Sequence, residues 1–343
     1  MGPDLRSLPV LRRARVLAVS AGRAEVELLE GPLAGETVRG LFYRQIGDPP
    51  QAGEEVRVNT VGLEMGLGTG GVAVLLPGDS TSVAPTNENH FVKLPYTPMQ
   101  FPASAPPQAE DLAGVPVVVL PLHSHVAPAC CAAAALEPDC RVALVWQEGG
   151  ALPVPFSETV GELKDRGLLH SVISAGSCFG GDVEAPNTYA GLLAAAALEP
   201  RANLVLAGIG PGVVGTAADY GHGGMAAAVA LNAGAALGAE PVLAPRLSAA
   251  DSRERHRGVS HHTRSALRAA LAPCRVAFPA GCTFTADGLP ERHVYERVEV
   301  GAAGLEGRFG VTFESMGRCY DEDPIFFDAA VAAVALALGG EVA

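Results

Sequence analysis

The chain lacks the features that would tie it to a membrane or to an oxidising compartment. Its longest apolar run, near Ala329–Leu338, is too short to cross a bilayer. Its first residues contain no apolar segment of the kind that a signal peptide needs. The seven cysteines are odd in number and form no C-x-x-C pair, so neither a disulfide framework nor a zinc ribbon is indicated. We therefore expect a cytoplasmic protein.

Positive charge and the common catalytic motifs are also scarce. The net charge is −13, and Lys93 and Lys164 are the only lysines. Nonspecific nucleic-acid binding depends on neutralising phosphates, so we expect neither a nucleic-acid nor a membrane partner. The sequence contains no G-x-S-x-G elbow, no Walker A lysine motif and no HExxH helix. These absences exclude the hydrolases and nucleotide-binding proteins that such motifs define.

The composition is that of a globular protein with two parts. With 343 residues, 48% of them hydrophobic, the chain can bury a large core. Residues 1–98 contain short Val-rich runs between glycine turns, which predicts a small antiparallel β barrel or sandwich. Residues 99–112 are rich in proline and indicate an extended linker. We assign residues 113–343 to an α/β domain with a C-terminal strand–helix extension.

Strands and helices alternate in this second part. The heptapeptide AAAALEP occurs at Ala132–Pro138 and again at Ala194–Pro200, and each copy ends an alanine-rich helix before a Val/Leu strand. This pattern predicts a mostly parallel, doubly wound (Rossmann-like) sheet with helices on both faces. A further strand is predicted at RFGVTFE (Arg308–Glu314). Helices are predicted at Val126–Leu136, Asn187–Leu198, Met225–Leu237, His262–Leu271 and Pro324–Leu338.

The segment Arg246–Arg264, RLSAADSRERHRGVSHHTR, holds five of the 24 Lys+Arg residues and three of the nine histidines. Such a cluster repels itself unless it is solvated, paired with acids such as Glu254, or bound to an anion. Ser260 is a plausible N-cap for the helix that follows. Arginine suits carboxylate or phosphate groups, and histidine suits proton transfer. The predicted anion-binding residues here are Arg246, Arg253 and Arg255, and the predicted catalytic residues are His256, His261 and His262.

A glycine-rich loop, GIGPGVVGT, follows the predicted strand NLVLA. Gly210, Gly212 and Gly215 satisfy G-x-G-x-x-G, and backbone N–H groups there, with Thr216, could hold an anion. The loop is not in the first βα turn and no acidic residue follows the next strand, which argues against a nicotinamide site. Glycines without a function are the alternative. His222, between two glycines, would be sterically free to face a ligand.

A metal site is an alternative to the anion site. His123 and His125 follow the first strand of the sheet, and their side chains would share one side if the backbone is extended. Asp182 or Glu184 would either cap the helix near Asn187 or serve as ligands. The alternative ligand set is His123, His125, Asp182 and Asp251, with His261 or His262.

The motifs GxGPGVVGT, GGDxEAxN and RERHRGxSHHT, with the tail ESMGRCYDEDPIFFDAA, resemble an uncharacterised bacterial family known only as domain of unknown function 3866. The resemblance extends over nearly the full length. It implies that the loops belong together, and it transfers no activity, cofactor or catalytic role.

Three functions are consistent with these observations. The first is an enzyme that acts on a small anionic metabolite, including phosphorylated ones, bound at the strand ends. The second is a metal-dependent hydrolase with histidine and aspartate ligands. The third is a non-catalytic ligand-binding or assembly protein, in which the β domain contacts a partner or a second copy in a homo-oligomer.

Overall fold

A computed structural model of the chain describes residues 10–20, 22–66, 71–78, 89–216 and 218–340. The chain divides into two compact units. The first comprises Met1–Asn87 and Leu94–Pro102, and the second comprises Glu88–Lys93 and Ala103–Ala343. The predicted linker therefore contributes to both units.

The elements of the first unit are β1 (Leu11–Ser20), β2 (Arg23–Leu28), β3 (Thr37–Leu41), β4 (Glu55–Asn59), α1 (Val61–Glu64) and β5 (Val72–Leu75). The strands form a closed barrel in the order β1-β2-β3-β5-β4. β1 pairs antiparallel with both β2 and β4, while β3 and β5 run parallel. Every second residue points inward, so Ala14, Val16 and Val26 lie in the barrel core with Val58 and Ala73. The predicted small β domain is thus a barrel.

The remaining elements are β6 (Asn89–Lys93), β7 (Phe101–Ser104), β8 (Val117–Leu120), α2 (Val126–Leu136), β9 (Val142–Gln147), α3 (Glu158–Asp165), β10 (Ser171–Ala175), β11 (Val183–Ala185), α4 (Thr188–Ala196), β12 (Leu204–Ile209), α5 (Ala226–Ala236), β13 (Val242–Leu243), β14 (Leu247–Ser248), β15 (Gly258–Val259), α6 (His261–Ala269), β16 (Arg275–Pro279), β17 (Val294–Val298), α7 (Leu305–Phe309), β18 (Glu314–Ser315), β19 (Arg318–Cys319) and α8 (Pro324–Leu338). The second unit is built on an eight-stranded sheet in which all neighbouring strands are parallel, in the order β11-β10-β9-β12-β8-β13-β16-β17. The predicted Rossmann-like fold is confirmed.

Helices cover both faces of this sheet and form two cores. Val118 and Leu120 of β8 pack in the core with α2 and α8. Val117 and Val119 pack in the core with α4, α5 and α6. A strand buried on both faces needs apolar side chains at every position, which explains its continuous valine run.

Two helix starts show how the sequence sets the helix positions. Asn187 caps α4 with its own side chain, which accepts a hydrogen bond from the Ala190 N–H at 3.0 Å. The prediction that Asp182 or Glu184 would cap this helix is therefore wrong. Ser260 caps α6 as predicted, accepting from the His262 N–H at 3.2 Å.

The prediction of a strand at Arg308–Glu314 is also wrong, because α7, which ends at Phe309, occupies the first part of this segment. Gly304 and Gly310 flank α7 with φ of 79° and 66°, in the left-handed region that glycine tolerates. The alternation of apolar residues is typical of a strand, but Gly310, in the left-handed conformation, interrupts it. Val311 and Phe313 are buried in the core beside α2 and α8.

The cysteines are all unpaired. Cys319 is exposed, and burial raises the pKa of each of the other six thiols.

Among the described residues, no helix has both the length and the apolar character that crossing a membrane requires.

Candidate functional site

The central strands β12, β8 and β13 bring together the loops that the sequence singles out. The chain leaves β8 toward one edge of the sheet and later leaves β12 toward the other edge. In doubly wound folds, ligands bind at the carboxyl ends of strands where such a reversal occurs. The loop Gly210–His222 follows β12, and Arg246 follows β13.

Four histidines and one arginine gather there, and we call them the histidine–arginine site: His222, His256, His261, His262 and Arg246. The His222 ring stacks on the His262 ring with their centres 3.9 Å apart. The His261 ring centre lies 4.4 Å from that of His262, 4.8 Å from that of His256 and 5.2 Å from that of His222. A guanidinium nitrogen of Arg246 lies 3.3 Å from His262 Nδ1.

Hydrogen bonds around Ser260 hold the basic segment in this shape. β14 and β15 pair antiparallel and close the loop between them. The Arg246 N–H donates to the Thr263 hydroxyl at 2.8 Å, and the Ser260 N–H donates to the Arg246 carbonyl at 3.0 Å. The Ser260 hydroxyl also lies 2.8 Å from His256 Nδ1. Ser260 thereby fixes His256 as well as the start of α6.

His222 is positioned by close backbone packing. Gly215 forms a β-bridge with His222, and the Gly223 N–H donates to the Val214 carbonyl at 2.7 Å. A Cβ on Gly223 would collide with the Gly149 carbonyl of the loop after β9. Glycine is therefore required here for two loops to approach each other.

In the glycine-rich loop predicted to bind an anion, Gly210 also allows a close approach to the loop after β9. Gly210 is buried, and a Cβ there would collide with the Ala151 carbonyl and the Trp146 ring. Gly212, Gly215 and Thr216 are exposed. Anion binding at these four residues stays a prediction.

Arg246 belongs to a buried ion-pair network. Asp251, 1% exposed, accepts hydrogen bonds from Arg253 at 2.9 and 3.0 Å and from Arg246 at 3.3 Å. Arg318 lies 3.6 Å from Asp251 and 3.4 Å from Asp323. Three guanidinium groups thus share two carboxylates, which leaves one positive charge in excess.

Burial sets the protonation states of the site. Burial, followed by the charges of Arg246 and Arg253, lowers the pKa of His256 to about 3. Burial also lowers the pKa of His222, although the nearby backbone of Asp219 works against this shift. The pKa of His262 is lowered by burial, by His222 and by Arg246. All these imidazoles are therefore neutral at pH 7.

Burial and Arg253 lower the pKa of Arg246 to about 10, so the guanidinium keeps its charge at neutral pH, and the Asp251 carboxylate partly offsets that lowering. For Asp251, burial alone would raise the pKa, but the hydrogen bonds and charge of Arg253 and the charge of Arg246 hold it well below its ordinary value.

Several buried polar atoms of the site have no partner. In the described part of the chain, neither ring nitrogen of His222 makes a hydrogen bond of normal geometry, and the same holds for His261 Nε2 and Arg246 Nε. Buried polar groups in proteins nearly always have a partner. Their environment is therefore suited to a ligand that supplies one.

The structure does not bring the alternative metal set together. His123 and His125 lie in a 3-10 turn rather than an extended segment, so their side chains diverge. His123 Nε2 lies 2.9 Å from the Ser157 hydroxyl, whereas the His125 ring packs on Phe326. The set's carboxylates are also separated, because exposed Asp182 pairs with Lys164 while Asp251 pairs with arginines.

The predicted arginines differ in environment. Arg246 is buried, Arg253 is half-buried and Arg255 is exposed. The sequence analysis singled out His222 as free to face a ligand but gave it no role, and it omitted Arg318 and Asp323. The glycines beside His222 were a usable signal, while nothing in the spacing of the tail residues indicates their contact with Asp251.

Two cavities lie away from the histidine–arginine site. One, of about 220 Å³, is in the barrel unit and is lined in part by Phe42 and Glu54. The other, of about 210 Å³, lies beside α3 and is lined in part by Ser157 and Lys164. The histidine–arginine site is instead a compact cluster that solvent reaches at His261, which is partly exposed.

Comparison with known protein families gives a match over most of the chain. A family model described as "Protein of unknown function (DUF3866)" matches residues 39–334. This range contains all five residues of the histidine–arginine site and the four other residues of the ion-pair network. No curated protein matches the chain.

Proposed function

The chain belongs to this family, and from the histidine–arginine site we propose that it is an enzyme that acts on a small anionic metabolite. The metabolite carries a phosphate or carboxylate group. One observation carries the proposal: the buried guanidinium of Arg246 contacts His262 within a cluster of four imidazoles, each with a lowered pKa, at the carboxyl ends of the central strands. This arrangement supplies both an anion anchor and groups for proton transfer.

The anion anchor follows from the charge balance around Arg246. Its Nε is buried without a hydrogen-bond partner among the described residues, and an unpaired buried donor costs about 1–3 kcal/mol. Its carboxylate partner, Asp251, is shared with Arg253 and Arg318. An anionic group that accepts from Arg246 would satisfy the donor and balance the excess positive charge. Guanidinium suits phosphate and carboxylate because it can donate two parallel hydrogen bonds.

Proton transfer is assigned to His256. The Ser260 hydroxyl lies 2.8 Å from His256 Nδ1 and fixes the ring orientation, which leaves Nε2 for exchange with a substrate. An acid–base catalyst needs such a fixed orientation and a pKa near the working pH. An anion bound at Arg246 would offset the charges of Arg246 and Arg253 that, after burial, lower the pKa of His256. His261 is the member of the site through which a substrate would enter, since it is partly exposed.

The cysteines support a reducing compartment for this enzyme. All seven are free, and six are buried away from oxidants. Cytosolic proteins keep their thiols reduced, whereas secreted proteins usually pair them. We place the enzyme in the cytoplasm on this ground.

Thermal unfolding of the purified full chain with a panel of anions tests the proposal. Phosphate, nucleotides and small carboxylates are compared at constant ionic strength. A ligand at about 100 times its Kd adds about 2.7 kcal/mol to the free energy of unfolding, which raises Tm by several degrees. We expect Arg246→Gln to lose this shift and Arg257→Gln, the same substitution at an exposed arginine of the same segment, to keep it.

Two results would count against the enzyme. If no anion of the panel raises Tm, or if Arg246→Gln responds like the wild type, the anion site is elsewhere or absent. If an anion binds at Arg246 but no member of a broad substrate panel is turned over, the protein is a ligand-binding protein instead.

A further inference from the structure

We infer that His222, His261 and His262 are the ligands of a divalent transition-metal ion of the Zn²⁺ class at the centre of the histidine–arginine site. The inference rests on the proposed function for its place in a reaction, whereas metal binding itself can be measured without a substrate. Of these three ligands, His261 and His262 were candidates in the metal set predicted from the sequence, and His222 is new.

The donor atoms are already close. One nitrogen from each of the three rings lies within 4.8 Å of the other two. A tetrahedral ion with Zn–N bonds of about 2.0–2.1 Å holds its nitrogens roughly 3.4 Å apart, so each ring has to move by only about 1 Å. His222 and His262 stack with an angle of 19° between their planes, so their lone pairs do not yet converge. Metal binding therefore includes a rotation of the His222 ring, about a torsion that is broad for histidine.

Within the described residues, the rotation of His222 breaks no hydrogen bond of normal geometry. His222 is 6% exposed, and both of its ring nitrogens lack partners of normal geometry within the described residues. His261 Nε2 is buried and unpaired as well. Buried polar atoms nearly always have a partner, as His256 Nδ1 has in the Ser260 hydroxyl, so the unpaired nitrogens that face each other in this cluster favour a shared ligand. A metal ion supplies the missing partner to two rings at once.

The donor set is that of a catalytic metal site. Three neutral imidazoles leave the fourth position of a tetrahedral ion open for water or a substrate oxygen. The ligands come from different elements: His222 precedes α5, while His261 and His262 begin α6. The site therefore depends on the folded chain, and His261 gives the open position access to solvent.

The metal and the anion are coupled through His262. In the metal-free protein Arg246 can only donate, so His262 Nδ1 accepts the contact at 3.3 Å. A metal at Nδ1 displaces Arg246 directly. A metal at Nε2 leaves the proton of the neutral ring on Nδ1, which then no longer accepts. With either nitrogen, metal binding releases a guanidinium N–H toward the substrate anion, so the metal should strengthen anion binding.

The test uses the full chain, purified without a metal-affinity tag, stripped with a chelator and dialysed. Co²⁺ is titrated and followed by its visible absorption, and Zn²⁺ is titrated by calorimetry. We expect one ion per chain with an imidazole-type cobalt spectrum. His222→Gln should lower the affinity at least about tenfold, since loss of even an outer partner of a metal ligand costs about 10–100-fold. His170→Gln, the same substitution at an exposed histidine, should bind as the wild type does.

Circular dichroism and thermal melting establish that each variant is folded. If His222→Gln does not fold, His261→Gln takes its place, because that side chain is partly exposed. The inference is overturned if the wild type binds neither ion, if these variants bind as tightly as the wild type, or if the cobalt spectrum indicates thiolate ligands from the seven cysteines.

Phosphate-induced Tm shifts, measured with and without metal, separate this inference from the proposed function. A phosphate shift that requires Arg246, in a protein that binds no metal, refutes the metal site and leaves the proposed enzyme intact. One metal ion at the three histidines, with no response to any anion, refutes the proposed function and leaves the metal site. A larger phosphate shift in the metal-loaded protein supports the coupling through His262, and an unchanged shift refutes it.

Discussion

Replacing Asp251 with asparagine should destabilise the protein strongly and make it dependent on anions. Asp251 is buried and accepts hydrogen bonds from Arg253 and Arg246, with Arg318 3.6 Å away. Asparagine keeps the shape of the side chain but removes its negative charge. Three guanidinium groups would then have Asp323 as the one carboxylate of this network.

The size of the effect follows from burial. Removing one partner of a buried ion pair costs about 3–5 kcal/mol, because the other charge stays buried without compensation. The Arg253 side chain is 37% exposed, which places the expected loss near the lower end, at about 3 kcal/mol. For a folding unit of this size, this loss lowers Tm by roughly 6–12 °C. Phosphate at about 100 times its Kd would restore about 2.7 kcal/mol and so nearly cancel the loss.

Thermal unfolding at pH 7, with and without phosphate, measures both effects. Asp165→Asn is the control, since it makes the same substitution at an exposed aspartate. We expect Asp251→Asn to melt well below the control and to gain more from phosphate than the wild type does. Equal melting of the two variants, or an equal gain from phosphate in variant and wild type, would refute the account of the charge balance.

Three further predictions concern the surrounding fold. Lys93→Met should lower the free energy of unfolding by about 3–5 kcal/mol, because it leaves the Glu184 carboxylate, 3.2 Å from Nζ, without its buried partner. Adding Glu184→Gln should restore part of this loss, as measured by urea unfolding. A double variant at least as unstable as the single one would contradict this. Burial lowers the pKa of His123 to about 4, so the unfolded chain binds more protons than the folded chain between pH 6.5 and pH 4. The free energy of unfolding therefore falls as the pH falls, by about 2 kcal/mol at pH 5. Urea midpoints at pH 7 and pH 5 should therefore differ less in His123→Gln, and an unchanged difference would contradict the argument. Gly223→Ala should lower the free energy of unfolding by about 1–3 kcal/mol, because the added Cβ collides with the Gly149 carbonyl. Gly161→Ala, at a helical position with open space, should raise it by about 0.5–1 kcal/mol. The reverse order of melting temperatures would disprove the packing argument.

The sheet could be predicted from the sequence because its signals are local. Buried parallel strands need continuous apolar runs, and the two AAAALEP segments end helices at proline before the strands β9 and β12. The bounds of α2 and α8 agree with the prediction for the same reason, since their composition changes sharply at both ends.

The errors arise where distant contacts override local pattern. The run Arg308–Glu314 alternates like a strand, yet α7 and a left-handed glycine occupy it because the apolar side chains pack under α2 and α8. In the same way, His222 lies far from the basic segment in sequence but reaches it through loop packing against Gly149. The contact of Arg318 with Asp251 depends on how the tail folds back, which no spacing rule specifies.

The burial of six thiols makes the seventh a unique point of attachment. A maleimide dye should modify the native chain at Cys319 alone, because the other thiols are shielded and held in the unreactive protonated form. Cys319 adjoins Arg318, whose guanidinium lies 3.4 Å from Asp323 and 3.6 Å from Asp251. A fluorophore placed there would report ligand binding at the neighbouring network without any engineered residue. Slow modification of the shielded thiols would then record, in the same sample, how often the two cores of the sheet open.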